Sequence, residues 1–263
     1  MTRSAPPIRL QDLTAPDFAA VLALHPVILL SLGSHEDHGP HQPMGDFVLA
    51  DMLAGRIARR VREQGVACFL APVLPFGVAD YFGSSPGGLA LAPENFARLL
   101  TDLLGGLLRH GLSRIVILNA HGGNVPVIHE VTLGLRRREK VVVPSFYLWR
   151  VARQLMERRV PGTARFGHGA EPLLSLNLAL RPDCVRPGAA EAKGETLFGL
   201  RVRDFGALDF EGLSVDAPVE FNEVPTPAIG VAWAEGSAAL GKAVADELVD
   251  VVARFVTHVA AQE

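Results

Sequence analysis

The chain has 263 residues, 49% of them hydrophobic and 20% charged, with a formal net charge of −3. That length allows one large α/β domain or two small ones and a substantial core, while the mildly acidic balance argues against a nucleic-acid surface. No uninterrupted apolar run is long enough to span a bilayer, and Met1 to Arg9, with Pro6 and Pro7 and no apolar centre, does not read as a signal peptide, so a soluble cytoplasmic protein with reduced Cys68 and Cys184 is expected.

Thr14, followed by Pro16 and Asp17, predicts a capped helix start. Val27 to Leu32 is a short buried strand. From Phe47 to Val61 the apolar residues Phe47, Leu49, Ala50, Leu53, Ile57 and Val61 recur at helical spacing. Val66 to Ala71 is a second strand, and Pro72 to Gly88 a Gly/Pro-rich connection too long for a simple turn, of the kind that often carries function. A helix is expected from Pro93 to about Arg109, a third strand at Ile115 to Leu118, a helix from Asn124 to about Arg137 and a fourth strand at Val141 to Phe146. Arg136, Arg137 and Arg138 read as a solvated helix end that complements the dipole. Strand–helix alternation of this kind predicts a mostly parallel sheet covered on both faces.

Three polar constellations interrupt this scaffold. Ser34 to His41 holds three of the nine histidines, with Glu36 and Asp37 between them and Asp46 just downstream. It follows the first strand directly, where open α/β sheets place their ligands. Imidazole and carboxylate together suit zinc, manganese or iron. The second constellation, Asn119-Ala120-His121-Gly122-Gly123-Asn124, follows the third strand, and its paired glycines allow close backbone approach to a ligand. If the strands are parallel, His121 lies at the same sheet edge as Glu36 and His38. The third is Phe166-Gly167-His168-Gly169-Ala170-Glu171, entering the apolar run Leu173 to Leu176. His168, flanked by glycines, is available to a ligand; Glu171 is expected in the first turn of a helix, where its charge also suits the dipole.

These residues resemble the creatininase, or creatinine amidohydrolase, family. Gly33 to Pro43 resembles its "GSxEqHGPHLP" motif, with Gln42 where that motif has Leu, and Asn119 to Asn124 resembles "NGHGGN". Pro86-Gly87-Gly88 sits where the family has "PGT". Gly167 to Ala170 resembles its "HAG" segment, and Gly230-Val231 with Glu235 to Lys242 its C-terminal part. The resemblance runs over about residues 8 to 260 and implies a single creatininase-like domain. Its fold would be a three-layer α/β/α sandwich with a mostly parallel central sheet, usually assembled as a homohexamer. It also implies a hydrolytic site holding two divalent ions per chain (zinc, manganese or iron), with Glu36 and His121 on one, His38 on the other and an Asp bridging them. A metal-bound hydroxide would attack a C–N amide bond of a small cyclic amide, a formamide or a peptide. His168 and Glu171 would be catalytic, and Gly87, Gly88, Gly122 and Gly123 would bind substrate.

The pattern departs from the family at several places. The stretch between His41 and Asp46 is one residue short; because a helix fixes its residues by packing and a loop can tighten, Asp46 is expected to be the bridging Asp. Creatininase has a metal-binding Glu where this chain has Gly123, and the family's "ExETS" retains only Glu171 and Ser175, with Leu173 in place of the second Glu. Ala79 and Phe82 stand where Ser and His are common. No Trp lies near His168, so creatinine is not the expected substrate. The missing carboxylates motivate an alternative, a catalytically weakened member acting as a ligand-binding or oligomeric assembly module. A mean hydropathy of +0.25 is high for a soluble monomer, and residues 194–221, carrying Phe198, Phe205, Phe210 and Phe221, are a candidate oligomer interface or lid.

Overall fold

The computed structural model describes residues 6–78, 86–188, 196–204, 206–218 and 235–262. Four parallel strands, β1 (Val27–Leu32), β2 (Cys68–Leu70), β3 (Ile115–Asn119) and β4 (Ser145–Tyr147), form a sheet in the order β2-β1-β3-β4. Every residue of β1 and β3 is buried, as continuous apolar strands must be when both faces are covered. The covering helices are α1 (Ala15–Leu22), α2 (Asp46–Glu63), α3 (Pro93–Arg109), α4 (Asn124–Glu139), α5 (Leu148–Arg159), α6 (Leu173–Leu180) and α7 (Ala238–Ala260).

The pleat divides them into two layers. Val27 and Leu29 point into one core with Leu53 and Ile57 of α2, Ala152 of α5, Leu176 of α6 and Leu248 of α7. Ile28 and Leu30 point into the other with Phe96, Leu100 and Leu104 of α3 and Ile128 and Val131 of α4. The result is the expected α/β/α sandwich. The Thr14 hydroxyl accepts from the Asp17 amide and caps α1, as the sequence predicts.

Two strands are shorter than expected. β2 is confined to Cys68–Leu70, and β4 starts at Ser145 rather than Val141. Pro144 lacks an N–H and cannot donate to a ladder; it contributes only its carbonyl, which accepts from Ile117 at 2.9 Å. The described part of residues 194–221 forms strands. Four short strands, β5 (Thr196–Leu197), β6 (Leu200–Asp204), β7 (Ala207–Phe210) and β8 (Leu213–Asp216), form a separate antiparallel sheet. Ala79, Phe82, Gly194, Phe205, Phe221 and Gly230-Val231 lie outside the described residues. Among the described residues no helix is long and apolar enough to cross a membrane.

Candidate metal centre

β1 and β3 are neighbours in register, Leu32 beside Asn119. The chain therefore leaves both strands at one sheet edge, and the residues just beyond them meet. Glu36, His38, Asp46 and His121 are all buried there. Glu36 Oε1 lies 3.0 Å from His121 Nδ1 and 3.3 Å from His38 Nε2, and Asp46 Oδ2 is 3.9 Å from His121 Nδ1. Among the described residues, potential ligand atoms fall into two groups, Glu36–Asp46–His121 and Glu36–His38–His168, each with its atoms within 4.8 Å of one another. Glu36 belongs to both.

The three imidazoles are anchored alike. His38 Nδ1 donates to the Pro43 carbonyl at 3.0 Å, His121 Nε2 to the Val78 carbonyl at 2.8 Å, and His168 Nε2 to the Asp37 carbonyl. A carbonyl only accepts, so the proton must sit on the anchoring nitrogen. For His38 and His121 the other nitrogen faces Glu36. Imidazoles that bind metal are held in this way, one N–H given to the protein and the second nitrogen aimed at the ion. The His168 ring stacks on His38, centroids 5.0 Å apart at 28°.

The carboxylates are arranged to match. Asp46 begins α2, where the helix dipole favours its charge. Ser34 bonds both its oxygens, the amide at 2.6 Å and the hydroxyl at 3.0 Å. Glu36 Oε2 is buried with no hydrogen-bond partner among the described residues, an atom whose desolvation a cation would compensate. Its carboxylate is nevertheless held well below its ordinary range: burial opposes ionisation, but His121 and His38 outweigh it. Burial pushes Asp46 up to about 7. Burial would lower His121, yet Glu36 drives it up to about 9; His38 is raised against burial by the same carboxylate. His168 is lowered to about 4 by burial and then by His38. So compact a set of mutually compensating charges in a dry recess suits divalent cations. The donor set fits the zinc, manganese or iron expected from the sequence.

Gly123 opens α4, and a Cβ there would lie 2.0 Å from the Val78 carbonyl oxygen and 2.7 Å from His121 Nε2. No side chain fits, so position 123 cannot supply a carboxylate in this backbone. Gly122 lies against Tyr147, a Cβ at 122 meeting its hydroxyl at 3.2 Å. Pro86 and Gly87 form a turn, Gly88 follows it, and Leu89 then donates its amide to the His35 carbonyl at 3.0 Å. Glu171 precedes α6 instead of lying in its first turn. Its carboxylate accepts from the Ser175 amide and hydroxyl and belongs to neither ligand group.

Three further sets of contacts hold these loops, none of them assigned a role from the sequence. Asn124 ties three loops together, accepting from the Val78 amide at 2.9 Å and donating to the Gly33 carbonyl and the Asn119 side chain, each at 3.1 Å. Ser34 stood in the first cluster without an assigned role. The carbonyls of Pro43, Val78 and Asp37 are main-chain atoms, indifferent to residue type.

A family model, creatininase (creatinine amidohydrolase), matches residues 11–256. The chain belongs to the creatininase family. Among curated relatives, a creatinine amidohydrolase of Pseudomonas putida is 31% identical over 192 residues, covering 66% of this chain and 72% of that protein. A mycofactocin precursor peptide peptidase of Mycobacterium ulcerans is 32% identical over 116 residues, 42% of this chain; the match spans 46% of the peptidase. A solved mutant creatininase of Zn-Zn type superposes with a TM-score of 0.75 at 21% identity, covering 97% of this chain and 98% of that one. A creatininase structure with Mn gives 0.73 at 22% identity over 96% and 98%. At those identities the superpositions establish the creatininase fold.

Proposed function

We propose that this chain is a metal-dependent amidohydrolase that cleaves a C–N amide bond in a small cyclic amide, a formamide or a peptide. The observation carrying this reading is the common arrangement of His38 and His121, each fixed through one nitrogen by a main-chain carbonyl with the other turned on the shared Glu36 carboxylate. Glu36, Asp46 and His121 would hold one divalent ion, and Glu36 and His38, beside His168, the second, with Glu36 rather than the expected Asp46 common to both groups. Ions bound there would supply acidified water and stabilise charge at an amide oxygen. The relatives named as an amidohydrolase and a peptidase both act on such bonds by name, which supports the reaction class.

This chain's residues do the rest. Ser34 fixes Asp46 so that its carboxylate cannot swing away. His168, its Nε2–H given to the Asp37 carbonyl and its ring stacked on His38, is placed beside the ligand cluster to relay a proton from water to the leaving nitrogen. Glu171 supports the loop carrying His168 from the start of α6. Gly123 lets the chain pack directly on the Val78 carbonyl beside His121, and Gly122 packs against Tyr147.

The test is a screen of the purified, metal-loaded protein against lactams, formamides and short peptides, with metal content measured in parallel. Hydrolysis that chelator abolishes and metal restores is the expected result. Protein that binds no transition metal and cleaves nothing would overturn the reading in favour of a ligand-binding or assembly module, which the missing side chain at Gly123 and Leu173 in place of Glu would then explain.

A further inference from the structure

The carbonyl of Gly169, next to His168, accepts two buried side-chain donors: His41 Nε2 at 2.9 Å and Gln42 Nε2 at 2.5 Å. Behind Gln42 lies Asn177 of α6, whose Nδ2 donates to Gln42 Oε1 at 3.0 Å. The direction of this relay is forced. Gly169 offers only a lone pair, so Gln42 must present its NH2 group. Its oxygen then faces Asn177, which must present its own. Both amides are buried, 7% and 2% exposed, and Asn177 Oδ1 ends the relay without a partner among the described residues. A buried amide pair of this kind costs desolvation that two apolar side chains would avoid, and the family motif has Leu where this chain has Gln42.

The loop it grips admits little freedom. Gly169 has φ +68°, and a Cβ there would meet the His38 carbonyl oxygen at 2.5 Å. Its neighbour His168 stacks on His38 and donates to the Asp37 carbonyl. The 166–171 loop is thus joined to the 37–42 loop at both Asp37 and Gly169. Gln42 and Asn177 sit on opposite sides of that seam.

We infer that Gln42 and Asn177 are a positioning pair, which sets the Gly169 carbonyl and through it the orientation of the His168 imidazole over His38. The inference rests on the role of His168 proposed above, but its first readout does not. Three zinc-loaded proteins, wild type, Gln42→Leu and Gln42→Leu/Asn177→Leu, are compared by ¹⁵N-histidine NMR, with His168 assigned by its absence in His168→Gln. In the wild type His168 gives a single tautomer protonated on Nε2. Gln42→Leu leaves the Asn177 amide unmatched and lowers the melting temperature by about 3–10 °C. Removing both amides restores most of that loss, because an apolar pair needs no partners. The distinguishing expectation is that the double variant, though stable again, still loses the single His168 tautomer. With any amide that the wild type hydrolyses, its kcat falls about 10–100-fold while KM holds. A double variant with both wild-type stability and the wild-type His168 signal would overturn the pair's positioning role. If the wild type hydrolyses nothing, the function reading fails while the NMR comparison still decides this one. Should Gln42→Leu fail to fold, the double variant against wild type makes the same decision.

Discussion

Ser34 holds both oxygens of Asp46, its amide on Oδ1 at 2.6 Å and its hydroxyl on Oδ2 at 3.0 Å. The pair predicts how Asp46→Asn behaves. The amide oxygen of Asn can still accept from the Ser34 N–H, and the Ser34 hydroxyl can turn to accept from the new NH2 group. The fold therefore survives, while the charge that holds a cation is gone. Metal affinity is expected to fall by more than the roughly 10–100-fold that loss of a supporting residue costs, and hydrolysis with it. Elemental analysis beside circular dichroism checks this. Unchanged metal content would show that Asp46 holds no ion.

Chelation is expected to remove metal and activity without unfolding the chain. The two hydrophobic cores lie on opposite faces of the sheet, built from residues such as Leu53, Leu248, Phe96 and Leu104 that are 0% exposed and away from the ligands. They do not need an ion to form, unlike a zinc finger. Collapse of the far-ultraviolet signal on chelation at room temperature would contradict this.

Metal uptake is expected to release protons. In the metal-free protein Glu36 holds His121 protonated up to about pH 9, and burial holds part of the Asp46 population protonated near pH 7. Both must lose their protons to bind a cation. Affinity therefore strengthens as pH rises toward 9, levels off above it and weakens as pH falls. Calorimetry at pH 7 in buffers of different ionisation heat should find at least one proton released per chain. Uptake without proton release would show that His121 is not displaced from its proton.

Gly123→Ala is expected to break the His121 anchor. The added carbon would lie 2.0 Å from the Val78 carbonyl oxygen and 2.7 Å from the ring nitrogen bonded to it. Something must shift, and the exposed side of α4 gives no relief because the clash is with main chain. Loss of the His121 Nε2–H tautomer and about tenfold weaker metal binding are expected. Wild-type values in both would mean that the backbone at Val78 yields easily.

The protein is expected to be larger than its 28.1 kDa chain in solution. The small antiparallel sheet exposes Phe198 at 85%, Leu213 at 67%, Phe210 at 48% and Val215 at 45%, an apolar group of the kind that marks an interaction surface. Light scattering at micromolar concentration decides the matter, and a Phe198→Asp/Leu213→Asp protein should shift toward the monomer. A wild type already at one chain's mass would rule out this use of the sheet.

Glu36, His38, Asp46 and His121 were legible in the sequence because titratable residues crowd the ends of two apolar strands, and parallel pairing brings such ends together. Asp46 was legible through the packing face of α2, which fixes its place despite the shortened loop. The start of β4 was misjudged because Val141 to Val143 look like strand while Pro144 interrupts the ladder. β5 to β8 were missed since each has two to five residues, too few to display alternation. Glu171 was displaced from its expected helical turn because α6 begins only at Leu173. The grouping of His168 with His38 depends on a loop-to-loop seam that no local pattern encodes.

All three imidazoles are tethered to peptide oxygens at positions 37, 43 and 78. An oxygen of that sort survives every amino-acid exchange that leaves the chain path alone. Residues there can drift with little effect on how the rings are aimed, whereas a single inserted or deleted residue would misdirect a ring at once. Exchanges at positions 37 and 78 should therefore leave His168 and His121 aimed as they are, while the residue missing between His41 and Asp46 relative to the family motif falls in the very loop that aims His38.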